Sequence, residues 1–368
     1  MIEHAEDSEH TESAGNSTGH SGGRPADPAR TGPWGGVEAE RDCRPAGVRE
    51  GAAAALGGTA HPALGPGRLA AALEPGRSGA GRPALDPMTS MDQEPRQVPV
   101  TLSSSSVFPL GTQDVFATAA DLGYDGVEVM VTHNSWSQDA VRLNRLADQH
   151  QMPIHSIHAP TLLFTQQVWG SAWNKIAKSA ELAREVGAEV VVAHPPFRWQ
   201  GNYASGFAEG IREIMDATGV MICVENMYPW RAGGREAKMY LPHWDPISQG
   251  YEHVIWDFSH AAIAQMDSLD AFAVLGERLK HVHLTDGTAN GKDEHLLPGD
   301  GDQPVAAAIE YLGEIGWGGA VCVEVGTRKT KYAGEREEML IYSLEFARNH
   351  LAAGAARAVE AAERSTTA

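Results

Sequence analysis

Short apolar runs rich in valine and isoleucine recur along the chain from residue 98 onward. Eight of them stand out, at 98–108, 126–131, 154–160, 189–196, 221–227, 253–260, 279–286 and 320–326. Longer stretches with apolar residues at helical spacing lie between and after them, at 112–122, 136–150, 171–186, 203–217, 269–278, 303–315 and 336–351. Strand-length apolar runs that alternate with amphipathic helices predict right-handed βα units around a parallel sheet.

Eight βα units within about 255 residues match the size of a (β/α)8 barrel. The sequence therefore predicts an α/β protein with a TIM barrel over residues 98–352. An open, doubly wound sheet is the alternative, but the first predicted strand is not followed by the glycine-rich turn of a dinucleotide site. Residues 353–368, rich in alanine and glutamate, are predicted to form the end of the last helix or a tail.

The segment before residue 98 has a different composition. Residues 1–97 are rich in Gly, Ala, Pro, Arg and Ser and contain almost no Ile, Phe or Tyr. Such a segment buries too little apolar surface to offset the entropy lost on ordering, which predicts a disordered N-terminal tail. The alternative is that translation begins at Met88 or Met91 and that the mature protein lacks most of this segment.

The chain is acidic, with a formal net charge of −19 at pH 7. Tight sequence-independent binding of nucleic acid needs Lys and Arg side chains that neutralise phosphates, so no nucleic-acid partner is expected. The three cysteines, Cys43, Cys223 and Cys322, form no CxxC pair, which predicts a reducing, cytoplasmic environment. No apolar run approaches the roughly 20 residues that span a bilayer. No membrane partner is therefore expected, and the sequence leaves a homo-oligomer open.

Imidazole and carboxylate side chains end or follow the last six predicted strands. They are His158, His194, Glu225, Asp257, His260, His283, Asp293, His295 and Glu324. The carboxyl ends of barrel strands meet at one mouth, where barrel enzymes keep their chemistry. Imidazole nitrogens and carboxylate oxygens are ligands that Zn, Mn, Fe or Co prefer, so the pattern predicts a divalent-metal enzyme.

Each of these residues also has a purely structural interpretation. His158 and His194 both stand shortly before proline and could satisfy backbone groups at a strand end, and Asp257 could cap the next helix. Glu225 and Glu324 are harder to explain in this way, because an uncompensated carboxylate after an apolar strand is costly inside a barrel. The repetition of ligand types at six strand ends favours a metal site over six separate caps.

Three further residues are predicted to lie one layer below the mouth. Cys223 and Cys322 each precede a glutamate of the set by two positions, so strand alternation puts each pair on one face. His281 precedes His283 in the same way and is predicted to be a hydrogen-bonded core residue that supports a ligand.

Several of these motifs occur together in one superfamily. The chain resembles the xylose isomerase-like TIM-barrel superfamily in VEN at 224–226, WDFSH at 256–260, HVHLTD at 281–286, EHLLPGDGD at 294–302 and VEV at 323–325. The resemblance extends over roughly residues 98–350. That superfamily includes sugar and sugar-phosphate isomerases and epimerases, inosose dehydratase-like enzymes and the endonuclease IV type of apurinic endonuclease.

Resemblance to the epimerase-type members implies one divalent ion, Mn, Co, Mg or Zn, held by Glu225, Asp257, His283 and Glu324. It also implies that Glu225 and Glu324 form the catalytic acid/base pair and that His260 contacts a substrate hydroxyl. The first hypothesis is therefore a metal-dependent isomerase or epimerase of a sugar, sugar phosphate or cyclitol. It would transfer a proton next to a carbonyl or hydroxyl that the metal polarises.

Resemblance to the endonuclease IV-type members implies a multinuclear zinc site, in which five residues join those four: His158, His194, His260, Asp293 and His295. The second hypothesis is accordingly a multi-zinc phosphoesterase or AP endonuclease. The acidic composition and the few basic residues near the predicted mouth disfavour DNA as substrate. A third hypothesis, a non-catalytic binding protein on a retained barrel, is disfavoured by the intact ligand set.

Two features bear on whether the substrate carries a phosphate. Arg328 follows the eighth predicted strand, where barrel enzymes commonly bind phosphate, and is predicted to contact substrate; a solvated surface charge is the alternative. The Gly-Asp-Gly-Asp turn at 299–302 would offer backbone N–H groups to a phosphate, although its aspartates oppose an anion.

Overall fold

The computed structural model describes residues 97–161, 165, 167–232 and 235–366. Apart from Gln97, the predicted N-terminal tail lies outside the described residues, as do the alternative starts at Met88 and Met91. The last two residues of the predicted C-terminal segment, 367–368, also lie outside them.

Parallel strands at the predicted positions form the centre of the fold. They are β1 Val100–Ser103, β2 Gly126–Met130, β3 Ile154–His158, β4 Val190–Ala193, β5 Met221–Glu225, β8 Val254–Asp257, β9 Leu279–Leu284 and β10 Ala320–Val323, and a separate antiparallel hairpin is made by β6 Trp230–Ala232 and β7 Arg235–Ala237. Within the described ranges, eight strands close in the order β1-β10-β9-β8-β5-β4-β3-β2. Because β1 pairs with β10, with Val100 beside Val321, the (β/α)8 barrel is confirmed and the open sheet is excluded.

Helices follow the strands and surround the barrel. They are α1 Thr112–Leu122, α2 Ala140–His150, α3 Ala172–Val186, α4 Asn202–Ser205, α5 Phe207–Thr218, α6 Phe258–Ala264, α7 Ser268–Leu275, α8 Val305–Glu314 and α9 Glu335–Thr366. Asp139 and Ser171 cap α2 and α3 by accepting a backbone N–H from the first turn, and Gly187 ends α3 with a φ of 76°. None of the helices in the described ranges is long and apolar enough to cross a membrane.

Predicted boundaries differ most from the structure at the end of the first strand and at the end of the last helix. The first strand ends at Ser103 rather than at residue 108, because Ser104–Val107 turns as a 3-10 helix capped by the Ser103 hydroxyl. The last helix continues beyond residue 351 to Thr366, so the C-terminal segment is the end of this helix through Thr366, one of the two predicted alternatives. Alanine and glutamate favour helix, and Gly354 lets this extension pack closely against α8.

The apolar core lies on both sides of the barrel wall. Outside the wall, helices pack on the strands through large buried side chains such as Phe116 and Phe207. Inside it, a separate cluster that includes Val192, Cys223 and Ile255 fills the barrel below the mouth. Cys223 therefore lies in the layer predicted for it, and residues above that layer project into the mouth.

Helices α8 and α9 cross at two glycines. A Cβ atom on Gly354 would lie 1.9 Å from the carbonyl oxygen of Glu310, and one on Gly313 would lie 2.1 Å from the carbonyl oxygen of Leu351. Both obstacles are backbone atoms, so a larger side chain at either position forces the helices apart.

Alanine is favoured over glycine in a helix by about 1 kcal/mol. We nevertheless expect Gly354→Ala to lower the free energy of unfolding by about 1–3 kcal/mol, because α9 must move away from α8. Urea unfolding followed by circular dichroism measures the change. The matched control is Gly318→Ala, since a Cβ atom there would meet no atom within 4 Å. Equal stability of the two variants would contradict the close helix contact.

Candidate metal centre

The nine residues predicted as ligands lie together at the carboxyl ends of the strands. His158, Glu225 and Asp257 are the last residues of β3, β5 and β8, whereas His194 and Glu324 directly follow β4 and β10. The other four come from β9, the first turn of α6 and the loop after β9: His283, His260, Asp293 and His295. Neighbouring imidazole rings across the mouth have centroids 5.0 to 6.5 Å apart.

Glu225 lies at the centre of this group, and its side chain is buried. Its Oε2 atom is 2.9 Å from Nε2 of His194 and 3.5 Å from Nε2 of His158. Its Oε1 atom is 3.3 Å from Nδ1 of His283 and 3.4 Å from Nδ1 of His260. One carboxylate thus connects four imidazoles that come from four different elements of the fold.

A single nitrogen of His283 faces three carboxylates. Its Nδ1 atom is 2.7 Å from Oε2 of Glu324, 3.3 Å from Oε1 of Glu225 and 3.7 Å from Oδ2 of Asp257. The hydroxyl of Ser105 donates a 2.7 Å hydrogen bond to the other oxygen of Glu324 and orients that carboxylate. Three carboxylates of the set implied by the epimerase resemblance therefore surround the Nδ1 atom of its histidine.

Asp257 caps a helix with one carboxylate oxygen and directs the other into the centre. Its Oδ1 atom accepts the backbone N–H of His260 at 2.8 Å and caps α6. Its Oδ2 atom is buried without a hydrogen-bond partner and faces His283. Asn226 holds the strand end by bonding both the N–H and the carbonyl of Asp257. The cap uses one oxygen of the carboxylate and leaves the other to the site.

Asp293 and His295 form the outer edge of the centre. Oδ1 of Asp293 is 3.2 Å from Nε2 of His295, and Oδ2 is 3.3 Å from Nε2 of His260. Ser259 donates a 2.8 Å hydrogen bond to Asp293 and accepts the backbone N–H of His295. His295 has a φ of 46°, which is uncommon for a residue with a side chain, so Ser259 and the neighbouring backbone hold it in place.

His158, His260 and His295 present the same nitrogen to the site. In each ring Nδ1 lies 3.1, 2.9 or 2.7 Å, respectively, from a backbone carbonyl oxygen. A carbonyl only accepts hydrogen bonds, so Nδ1 carries the proton and a neutral ring leaves the Nε2 lone pair facing the carboxylates. Proteins commonly orient imidazole ligands toward a metal in this way.

The unpaired atoms and the spacing of the centre fit divalent metal ions. Oε2 of Glu225, Oδ2 of Asp257 and Nδ1 of His283 are buried and make no hydrogen bond, although buried polar atoms are ordinarily paired. Ligand atoms about 2.0–2.2 Å from one ion lie roughly 3.0–3.6 Å from each other. The nitrogen–oxygen distances of the centre are close to that spacing.

Ligand atoms gather here in overlapping sets, each with its atoms within 4.8 Å of one another. Three sets at the mouth are His158, His194 and Glu225; Glu225, Asp257 and His283; and Asp257, His260 and His295. Glu225 and Asp257 each belong to two sets. The residues implied for a single ion and those implied for several ions therefore form one continuous centre.

The carboxylates make the centre strongly favourable for positive charge. Burial disfavours a charged imidazole, yet Glu324 raises the pKa of His283 well above its usual range, and Asp257 does the same for His260. Burial likewise opposes a charged Glu225, but the surrounding imidazoles hold its pKa well below its usual range. Protons on the imidazoles balance the carboxylates when no ion is bound, and metal ions would displace them.

Asp286 holds the loop that follows β9. Its Oδ2 atom accepts the backbone N–H groups of Gly299 and Gly301, both at 3.0 Å, and its Oδ1 atom accepts that of Gln303 at 3.3 Å. The N–H groups of the Gly-Asp-Gly-Asp turn are thus directed at a protein carboxylate. The expectation that they bind a phosphate is wrong, because these donors are already satisfied.

Glu128 on β2 belongs to the centre, although none of the sequence motifs includes it. Its buried carboxylate accepts hydrogen bonds from Nε2 of His281 at 3.0 Å, Nε2 of His283 at 3.1 Å and the hydroxyl of Ser156 at 2.7 Å. Burying a carboxylate within the apolar strand GVEVM costs free energy, as it does for the glutamates of the predicted set. This cost is the signal by which Glu128 could have been identified from the sequence. His281 is confirmed as a hydrogen-bonded core residue.

Aromatic side chains and one arginine flank the mouth. Phe197 and Trp199 stack with ring centroids 4.6 Å apart, and the ring of Tyr228 is 5.1 Å from that of His260. Arg328 is exposed, and its guanidinium lies 5.2 Å from the centre of the Phe108 ring. Its predicted contact with substrate stays a prediction.

Residues 116–350 match the family model described as a xylose isomerase-like TIM barrel. The chain belongs to this family. The resemblance found in the sequence motifs is therefore confirmed. An uncharacterized protein of Mycobacterium leprae is 42% identical over 274 residues, which cover 69% of this chain and 98% of that protein.

More distantly similar proteins also match. Fructoselysine 3-epimerase of Escherichia coli O157:H7 is 22% identical over 242 residues, which cover 59% of this chain and 86% of that protein. Among solved structures, the IOLI protein with a binding zinc atom superposes with a TM-score of 0.52 at 15% identity, over 69% of this chain and 98% of that chain. At that identity the likeness shows a shared fold.

Proposed function

We propose that the protein is a divalent-metal-dependent isomerase or epimerase that acts on a sugar, sugar phosphate or cyclitol. The observation that carries this proposal is the convergence of Glu225 and Glu324 on one nitrogen of His283, at 3.3 Å and 2.7 Å, with an unpaired oxygen of Asp257 beside them. Membership of the xylose isomerase-like family supports it, as does the similarity to a protein named fructoselysine 3-epimerase.

In the proposed reaction the two glutamates transfer the proton. In this proposal Glu225, Asp257, His283 and Glu324 hold the ion, which when bound supplies a Lewis acid for the sugar oxygens. Glu225 and Glu324 then remove a proton from one face of a sugar carbon and return one to the other face. The Ser105 hydroxyl holds Glu324 through its Oε1 atom, so the proton acceptor is positioned before substrate arrives.

Residues around the mouth are proposed to bind the sugar. Nδ1 of His260 donates to the carbonyl of Asn226 and Nε2 lies 3.3 Å from Asp293, so in this proposal a substrate hydroxyl would share Nε2 with that carboxylate. The half-exposed ring of Trp199, stacked on Phe197, offers a flat apolar surface for a sugar ring. Arg328 is available at the same end of the barrel for an anionic substituent.

A multi-zinc phosphoesterase is the second candidate function. The observation that favours it is the overlap of the three ligand sets, in which Glu225 and Asp257 are shared. Carboxylates that join neighbouring ions, together with histidines whose Nε2 atoms face inward, suit attack of water on a phosphoester. The net charge of −19 disfavours a nucleic-acid substrate.

Metal analysis separates the two candidates. Protein purified without added metal or chelator is analysed for elements and assayed by NMR for hydrogen–deuterium exchange next to the carbonyl of ketoses, ketose phosphates and inososes. About one ion per chain with exchange supports the epimerase. Two or three zinc ions, with hydrolysis of abasic DNA or a simple phosphodiester and no exchange, would replace it with the phosphoesterase.

We expect a chelator to abolish turnover and to lower the melting temperature. A ligand present at 100 to 1,000 times its Kd stabilises the folded state by about 3–4 kcal/mol, and that contribution disappears with the ion. Differential scanning fluorimetry before and after EDTA, and after return of Mn, Co, Mg or Zn, measures the effect. An unchanged melting temperature together with unchanged turnover would rule out a metal-dependent reaction.

A further inference from the structure

Glu128 reaches across the interior of the barrel to the histidines of β9. It lies on β2 beside Ser103 and Ser156, and β1 and β10 separate β2 from β9 in the closed sheet. Its side chain is fully buried. A carboxylate placed there needs hydrogen-bond donors from the neighbouring strand or from strands across the barrel.

Both oxygens of Glu128 are occupied by such donors. Oε1 lies 3.1 Å from Nε2 of His283, whereas Oε2 lies 3.0 Å from Nε2 of His281 and 2.7 Å from the hydroxyl of Ser156. A carboxylate only accepts hydrogen bonds, so each imidazole presents an N–H at Nε2. A neutral His283 then carries no proton on Nδ1.

His283 is therefore turned the opposite way from the other imidazoles of the centre. His158, His260 and His295 bond a backbone carbonyl through Nδ1 and present Nε2. His283 has its Nε2 atom on Glu128 and its Nδ1 atom toward Glu225 and Glu324. Nδ1 of His283 is buried and makes no hydrogen bond, which is the state expected of a ligand atom.

We propose that Glu128 is a positioning residue that keeps the proton of His283 on Nε2 and so makes Nδ1 the atom that binds the metal. The inference rests on the proposed metal centre and goes beyond it, because it assigns the ligand atom and the residue that selects it. Outer partners of this kind raise metal affinity by about 10–100-fold.

A second ion below the mouth is the competing interpretation. Ligand atoms of Glu128, His281, His283 and Cys322 lie within 4.8 Å of one another. The hydrogen bonds decide against it, because both oxygens of Glu128 already accept donors at 2.7 to 3.1 Å. The unpaired carboxylate oxygens lie at the mouth, on Glu225 and Asp257.

The test compares zinc affinity in Glu128→Gln and His281→Gln by competition with a chelating dye. Two donors, His281 and Ser156, lie at the Oε2 position and only His283 lies at Oε1, so the amide oxygen of Glu128→Gln should take the Oε2 position. Its NH2 group then faces Nε2 of His283 and drives the proton of that ring to Nδ1. We expect a 10–100-fold weaker Kd for zinc. His281→Gln still supplies an N–H donor to Glu128. Its Kd for zinc should therefore stay within about 3-fold of that of the original protein, a much smaller change than that expected for Glu128→Gln.

Long-range ¹H–¹⁵N NMR of histidine in the zinc-loaded original protein provides a readout that does not depend on the variants folding. It should show His283 with zinc on Nδ1 and a proton on Nε2. Zinc on Nε2, or equal zinc affinity in Glu128→Gln and the original protein, would overturn the inference alone. An equal loss of zinc affinity in Glu128→Gln and His281→Gln would overturn the inference in favour of the second ion below the mouth. An original protein that binds no zinc, Mn or Co would overturn the metal centre itself.

Discussion

Replacing Glu225 with glutamine is expected to remove the metal from the protein and to abolish turnover while the barrel stays folded. The carboxylate contacts His158, His194, His260 and His283, and it belongs to two of the three ligand sets at the mouth, which cannot form fully without its charge. We expect metal affinity to fall by more than the roughly 100-fold that marks the loss of an outer partner. Elemental analysis, circular dichroism and the exchange assay measure the three outcomes.

Glu294→Gln is the matched control for this prediction. Glu294 lies between two residues of the centre in sequence, but its carboxylate bonds Thr288 and Asn290 and no imidazole of the centre. It should leave metal content unchanged. Full metal content in Glu225→Gln would show that this glutamate is not a ligand. An equal loss of metal in Glu225→Gln and Glu294→Gln would mean that the loss does not depend on the position of Glu225 among the imidazoles.

Glu324→Gln is expected to reduce turnover by about 10²–10⁴-fold, the usual contribution of a positioned acid or base. Glutamine has nearly the same shape and can still accept the hydrogen bond of Ser105, but it cannot take up a proton. The protein should remain folded, because Glu324 lies at the mouth, above the apolar interior of the barrel. Exchange next to the carbonyl, measured at saturating metal, separates lost proton transfer from weakened metal binding.

Ser105→Ala tests the same proposed base with a smaller change. It removes the 2.7 Å hydrogen bond to Oε1 of Glu324 but leaves the carboxylate, its charge and its contact with His283. We expect a loss of roughly 10-fold, well below that of Glu324→Gln, since only the orientation of the base is relaxed. Near-normal exchange in Glu324→Gln at saturating metal would remove its acid/base role.

The repeat of strands and helices could be predicted because it depends on local patterns. The run GVEVM became β2, and the amphipathic stretch at 112–122 became α1 with the predicted bounds. The predicted end of the first strand was wrong because a hydroxyl intervenes there, and only the structure decided between the two alternatives for the C-terminal segment. The Ser103 side chain turns the chain after β1, and the crossing with α8 accompanies the extension of the last helix to Thr366.

The ligand set could be predicted because closure of the barrel brings every strand end to one mouth. That rule places His158 and Glu324 together without any knowledge of side-chain geometry. It does not separate a cap from a ligand at Asp257, since a carboxylate has two oxygens and the structure uses them differently. It also does not show that the N–H groups of the 299–302 turn already have acceptors within the protein.

The sequence by itself determined the barrel, the family and the residues that meet at its mouth, because periodicity and strand order are properties of the chain. Only the tertiary structure decided how each side chain is used. Glu128 and His283 are 155 positions apart in the sequence and bond across the barrel, and this contact selects the nitrogen that faces the carboxylates. Such a choice depends on the distances between strands, which no local pattern in the sequence specifies.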